Sequence, residues 1–208
     1  MDFHLVPRGE DRNYTGFLTK TIVYTASLIV FFVSFGLTVA SIVIPKWVTY
    51  HDQEPSIYYS YGLHRRCSSV NGQCHPFPQR EDCHGSDRYF CSMWRSVGFL
   101  MSFAVVLEGM SMVAFLIVLS GGKRLRENGW KVLSLLIILS AVVQAASMAL
   151  MAYLFDNEKR FFVGWRLDES WIYCTASWCV SLVCAAALIL AAQTLPSEGG
   201  YELIPDQL

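Results

Sequence analysis

Charge is what this chain has least of. Only 16% of its 208 residues are Asp, Glu, Lys or Arg, whereas soluble domains carry about a quarter. The shortage is concentrated in four stretches, roughly 21–44, 96–119, 132–154 and 171–195, each 23 to 25 residues long. Lys, Arg and Asp are absent from all four, and Glu108 is their only acidic residue. Also missing are a glycine-rich phosphate loop, a His-Glu-x-x-His helix and a Gly-x-Ser-x-Gly elbow. No two cysteines stand at Cys-x-x-Cys spacing, which argues against a quinone-linked thiol oxidoreductase and a common zinc pattern. Polar residues within the four stretches are too few to build a catalytic site. The expectation is a protein that is not an enzyme and takes no cofactor and no metal. A net charge of −1 gives no argument for a nucleic-acid partner. There is no internal repeat and no low-complexity tract.

What is present is apolar length. About 20 apolar residues carry a helix across a bilayer, so each stretch is a membrane span. Together they occupy nearly half the chain, leaving no room for a second globular domain of ordinary size. The reading is an all-α membrane protein, a bundle of four transmembrane helices. It has a polar N-terminus (1–20), loops at 45–95, 120–131 and 155–170, and an acidic tail (196–208). The first span is too long for a signal-peptide core and lacks a good cleavage site, so it is expected to stay as an anchor.

An even number of spans puts both termini on one side. The short loop 120–131 holds Lys123, Arg124, Arg126 and Lys131, and the N-terminus adds Arg8, Arg12 and Lys20. By the positive-inside rule this face is cytosolic. The cysteines agree: Cys67, Cys74, Cys83 and Cys91 all fall in 45–95, and an even set in a polar loop suits an oxidising compartment. Trp47, Trp94, Trp165 and Trp171 mark the outer ends of the spans as interfacial tryptophans do. The expected location is the plasma membrane or an endomembrane of the secretory route. Asn13-Tyr14-Thr15 matches the glycosylation pattern but lies on the cytosolic side in this reading.

The long loop alternates short β-favouring runs with turn signals. Residues 57–63 are one such run, and Asn71-Gly72 between two runs is a hairpin signal. Cys67 and Cys74 flank that turn; in a strict two-residue turn they would sit diagonally, so a bond between them implies a wider one. Cys83 and Cys91 flank a second turn at 85–87. Four cysteines allow three pairings, and locality favours 67–74 with 83–91. Cys74-His75 and Cys83-His84 set metal-ligand types side by side, yet thiolates in an oxidising lumen pair with each other. The histidines of the loop read as solvated residues.

Trp47 after the first span, then Gly62-Leu63 with Cys67 four residues on and Cys74 beyond, resembles the first outer loop of the claudin, peripheral-myelin-protein and calcium-channel-gamma superfamily. Arg95 at the outer start of span two and Gly164-Trp165 before span four are similar to residues found there in those relatives. The order of loops is theirs too. Departures exist: His64 stands where the signature has its second Trp, the Cys67–Cys74 interval is short, and Cys83 and Cys91 are an extra pair. These point to the wider, divergent members, including fungal cortical and mating-associated membrane proteins. The resemblance implies a left-handed four-helix bundle whose two outer loops form one small antiparallel sheet.

Glu108 lies near the middle of span two, where an unpartnered carboxylate costs about 2.5–3.5 kcal/mol on insertion scales. Gln144, at the same half-depth of span three, is the obvious donor to it. Gly36 and Ala40, Ala141, Ala145 and Ala149, and Ser177, Ser181 and Ala185 put small residues at four-residue spacing, read as close helix approach within the bundle. Tyr201-Glu202-Leu203-Ile204 fits the Tyr-x-x-apolar sorting pattern, with Tyr201 and Ile204 as its anchors. Arg65 and Arg66, beside the expected disulfide, are candidates for contact with a partner. The functional expectation is contact with lipid, with other membrane proteins or with further copies of the chain, in adhesion or membrane-domain organisation. The alternative is an auxiliary subunit of a channel, transporter or other membrane complex.

Overall fold

The computed structural model describes residues 20–51, 57–84, 88–121 and 123–195. Four helices, α1 (Lys20–Val43), α2 (Arg88–Ser120), α3 (Lys123–Asn157) and α4 (Glu169–Thr194), are joined by two segments that carry strands. All four helices are long and apolar enough to cross a membrane. The chain is therefore a multi-pass membrane protein.

Each helix turns one narrow stripe inward, and the stripe has the same period in all four. The buried residues of α1 are Tyr24, Ser27, Phe31, Ser34, Thr38 and Ser41. In α2 the run Phe90, Trp94, Val97, Met101, Ala104, Glu108, Ser111, Phe115 and Val118 is buried. In α3 it is Leu133, Ile137, Ser140, Gln144, Ser147, Met151 and Leu154; in α4 it is Ser170, Cys174, Ser177, Ser181, Cys184 and Leu188. Steps of three and four residues alternate along every run. That is the heptad pattern, which keeps facing stripes together only when the helices wind about one another with a left-handed twist. Lipid takes the remaining faces, where Phe32, Phe99, Leu135 and Val183 lie open.

Two apolar clusters fill the ends of the bundle. Phe31, Phe115, Ile137 and Leu188 belong to one, and Trp94, Met101, Met151 and Cys174 to the other. Between them the stripe is polar.

Strands β1 (Val48–His51), β2 (Tyr58–Tyr61), β3 (Arg65–Ser68) and β4 (Gln73–Pro76) come from the segment between α1 and α2, and β5 (Trp165–Leu167) from that between α3 and α4. They form one sheet in the order β4-β3-β2-β1-β5, and every pair is antiparallel. Both connecting segments thus share one sheet over one end of the bundle.

Two helix bounds differ from the hydropathy reading. Helix α2 has 33 residues, about 50 Å at 1.5 Å per residue, against a hydrocarbon core of about 30 Å. Its first turns, with Phe90, Cys91 and Trp94, lie beyond the span and pack into the cluster below the sheet. Helix α3 likewise starts at Lys123, so most of the 120–131 loop is helical. Hydropathy marks where the bilayer ends, and a hydrogen-bonded helix does not have to stop there.

The small-residue stripe of α1 also falls elsewhere. Gly36 faces outward, and a Cβ there would meet nothing within 4 Å; the inward face belongs to the hydroxyl residues instead. By contrast, a Cβ on Gly62 would collide with the backbone Cα of Pro45 and come 2.8 Å from its Cβ. Gly62 lets the turn between β2 and β3 lie against the end of α1. Gly62→Ala is expected to destabilise the protein by about 1–3 kcal/mol, as overpacking does, and Gly36→Ala by nothing measurable. Detergent unfolding of the two variants checks this; equal effects would contradict the packing described.

Candidate functional site

The sheet is fixed to the helices at the point where both connecting segments leave the bundle. Trp47 is fully buried. Its indole Nε1 donates to Ser41 O at 2.7 Å, and its ring meets Trp171 edge-on at 6.2 Å. Asp168 N donates to Trp47 O and Ser170 N to Lys46 O, while Ser170 Oγ donates to Ile44 O. Lys46 Nζ donates to Glu169 Oε2 at 3.0 Å, and this hydrogen bond raises the Lys46 pKa above its ordinary value. Asp168, at the start of α4, accepts from Thr49 Oγ1 on β1. The end of α1 and the start of α4 are therefore stitched together directly under β1 and β5.

Aromatic rings extend this seat. Tyr61 on β2 contacts Phe77, Trp94, Phe161 and Trp165 at centroid distances of 4.9 to 6.3 Å. Leu63 is buried beneath them. Gly164 has φ +111°, and a Cβ there would lie 2.8 Å from the Tyr50 ring, so glycine lets Trp165 open β5 against Tyr50. Of the residues other than cysteine that suggested a family likeness, Trp47, Gly62, Leu63, Gly164 and Trp165 all belong to this seat. Arg95 does not; it stands exposed on α2.

Both disulfides lie at the sheet end. Cys67 and Cys74 face each other across β3 and β4 and are bonded, with Cα atoms 4.1 Å apart. The connection is wider than a two-residue turn: residues 69–72 form it, and only Gly72 takes positive φ, +61°. Cys83, in a short 3-10 turn (Glu81–Cys83), is bonded to Cys91 on α2. One bond staples the hairpin; the other ties the chain after it to the helix. With their thiols in disulfides, Cys74 and Cys83 leave His75 and His84 beside no thiolate. Among the described residues no group of three or more His, Cys, Asp or Glu could hold a metal ion.

Adjacent strand residues point to opposite faces, and this separates Arg65 from Arg66. Arg66 Nη1 donates to Asp82 Oδ1 at 2.9 Å, and Asp82 in turn accepts from Gln79 N. Arg65 is exposed and makes no ion pair among the described residues. The two arginines do not form one patch.

At mid-bilayer, Gln144 Nε2 donates to Glu108 Oε1 at 2.7 Å and to Thr38 Oγ1 at 3.3 Å. Thr38 Oγ1 also reaches Glu108 Oε1 at 3.0 Å and lies 2.6 Å from Ser177 Oγ. Ser34 Oγ sits 2.9 Å from Ser177 Oγ and 3.0 Å from Ser181 Oγ. All six residues are fully buried. Glu108 Oε2 and Gln144 Oε1 are buried without a hydrogen-bond partner. Every helix contributes to this layer. Thr38 and Ser34 were missed in the sequence, and their α4 partners Ser177 and Ser181 were read there as small residues and not as hydrogen-bonding ones, although hydroxyls at heptad spacing in an apolar helix are a readable signal. Cys174 and Cys184 are buried and Cys179 exposed, all three free. Tyr201 and Ile204 lie outside the described residues.

No protein-family model matches the chain, and no curated protein does.

Removing a disulfide from a small domain of this kind typically costs about 2–5 kcal/mol. Cys67→Ser is expected to lose stability on that scale and to be retained in the endoplasmic reticulum, whereas Cys179→Ser matches the parent. Peptide mapping under non-reducing conditions should recover the 67–74 and 83–91 pairs. Free, alkylatable Cys67 and Cys74 in native protein would contradict the hairpin as described.

Proposed function

We propose that the chain is a non-enzymatic protein of the plasma membrane, acting in cell adhesion or membrane-domain organisation through contacts with other membrane proteins or with further copies of itself. In this reading the sheet lies outside the cell and both chain ends in the cytosol. The chain is then a divergent relative of the claudin, peripheral-myelin-protein and calcium-channel-gamma superfamily. Support for the family comes from the shared sheet over a four-helix bundle and from the seat residues Trp47, Gly62, Leu63, Gly164 and Trp165. Two disulfides in the sheet region support its placement in an oxidising compartment.

The observation that carries the function is the β3–β4 hairpin. It is stapled by Cys67–Cys74, all four residues of β4 are exposed, and Val70 at its tip is 61% exposed. A hollow beside it is lined by Tyr59, Arg66, Asn71, Gln73 and His75. A rigid projection with an apolar tip and mixed polar flanks suits side-chain recognition of another protein, at little cost in ordering on binding. Pairing along the edge of β4 is disfavoured, because Pro76 has no N–H to donate.

Val70→Glu is expected to reach the cell surface at the parent level, since the residue is largely exposed, and to weaken self-association or cell clustering about tenfold. Mild-detergent co-purification and a clustering assay measure this. Undiminished association would move the interface away from the hairpin. A stoichiometric larger partner, kept by the parent and lost by the variant, would favour the auxiliary-subunit role.

A further inference from the structure

Three hollows run into one another on the outside of the bundle, between the end of α1 and the first half of α2. Val43, His64 and Arg65 line the first, of about 250 Å³. The second, of about 220 Å³, shares His64 with it and adds Arg95, Gly98 and Phe99. The third continues past Arg95 and Phe99 to Arg88. Among the described residues no Asp or Glu lines any of them. The ion pairs among the described residues are Lys46–Glu169 and Arg66–Asp82, so among these residues Arg65, Arg88 and Arg95 reach the groove with no carboxylate partner.

Depth along the membrane gives the groove two kinds of surface. Arg95 and Phe99 are four residues apart on α2 and share a face. Phe99 is 69% exposed and stacks parallel to Phe103, the next residue on that face, at 6.4 Å. Val43, at the end of α1, is equally open. The floor is low at Gly98, where a Cβ would meet only His64 Cε1, at 3.6 Å. Cationic groups therefore ring the end nearest the sheet, at headgroup level, and rings and aliphatic chains line the end toward the membrane interior.

We infer that this groove binds a glycerophospholipid of the leaflet on the sheet side. The Arg65 and Arg95 guanidiniums hold its phosphodiester, and an acyl chain lies along Phe99 and Phe103. The planar fork of arginine pairs with two phosphate oxygens at once. The phosphate supplies the negative charge that the described lining lacks. Of the hairpin this site takes Arg65, at the start of β3, and not the tip, and it does not depend on the adhesion reading.

The test uses the full-length chain, stripped of lipid in maltoside detergent and titrated with dioleoyl phosphatidylglycerol, with native mass spectrometry counting lipid retained per chain. Dioleoylglycerol, which has the same tails and no phosphate, is the reference ligand. One phosphatidylglycerol per chain is expected, held at least about tenfold more tightly than dioleoylglycerol. The Arg65→Gln, Arg95→Gln double variant should lose that preference, and Arg166→Gln, exposed on β5, should keep it. Arg65 and Arg95 are exposed and make no ion pair among the described residues, so circular dichroism of the double variant should match the parent. Arg95→Lys, which keeps the charge and loses the fork, should bind at an intermediate level and gives a second reading should the double variant misfold. Equal retention of the two lipids, or a double variant or Arg95→Lys binding like the parent, would overturn the proposal. So would arginine variants that lost a co-purifying protein while keeping the lipid, which would make the groove a protein contact.

Discussion

Inside a bilayer there is no water to satisfy a polar group, and lipid tails compete on equal terms with apolar side chains for any helix face. A bundle whose stripes were purely aliphatic could slide or rotate at little cost. Here the two apolar clusters are interrupted by a fully buried layer in which Glu108 accepts from Thr38 and Gln144, and Thr38 passes on to Ser177. Such a layer has one good arrangement. Shifting α2 or α3 by a turn would part the Glu108 carboxyl group from the Gln144 carboxamide, and shifting α1 or α4 would part Thr38 from Ser177, so the layer selects the register, as single polar residues do in coiled coils. The close approach of α1 to α4 follows from it: Ser34, Ser177 and Ser181 are small, and their hydroxyls bond across the gap.

Everything at the sheet end inherits that register. Trp47 and Lys46 leave α1 at a fixed height, and Asp168 and Ser170 begin α4 at the matching one, so β1 and β5 meet as neighbours although more than a hundred residues separate them in the chain. The long first turns of α2 carry Phe90 and Trp94 into the same aromatic cluster. The sheet is consequently held from three helices, and the Cys83–Cys91 bond adds a covalent tie to α2. A hairpin on such a base is rigid enough to serve as a contact surface, and loops on rigid scaffolds are where function usually resides.

The spans were legible because a charge-free run is a direct physical requirement of crossing lipid. The Cys67–Cys74 pair was legible because it flanks a turn, and Cys83–Cys91 followed from locality; the turn expected at 85–87 lies outside the described residues. Gln144 could be named as the donor to Glu108 from depth alone. The hydroxyl stripe of α1 was not read, because a small-residue spacing at Gly36 and Ala40 drew attention to the wrong face; the alternating three-and-four spacing of Ser27, Phe31, Ser34, Thr38 and Ser41 carried the true one. The extra turns of α2 and α3 were hidden because hydropathy reports the bilayer and not the backbone. That Arg65 and Arg66 diverge needed the strand assignment of β3, which a four-residue run between two turns signals only weakly. The pairing of β5 with β1 is a long-range contact that local pattern cannot supply; only the family resemblance suggested it.

The central claim is that the Glu108 layer sets helix register through hydrogen bonding, and the unfolding free energy of three proteins in mixed micelles tests it most directly. Glu108→Gln, nearly the same shape and still able to accept from Thr38 and Gln144, should fold and unfold within about 0.5 kcal/mol of the parent. Glu108→Leu fits the space but accepts nothing, and should lose about 1–2 kcal/mol, the upper range for hydrogen bonds between membrane helices. If Glu108→Leu were as stable as the parent, or Glu108→Gln were as damaged as Glu108→Leu, the layer would not be what holds the helices in place.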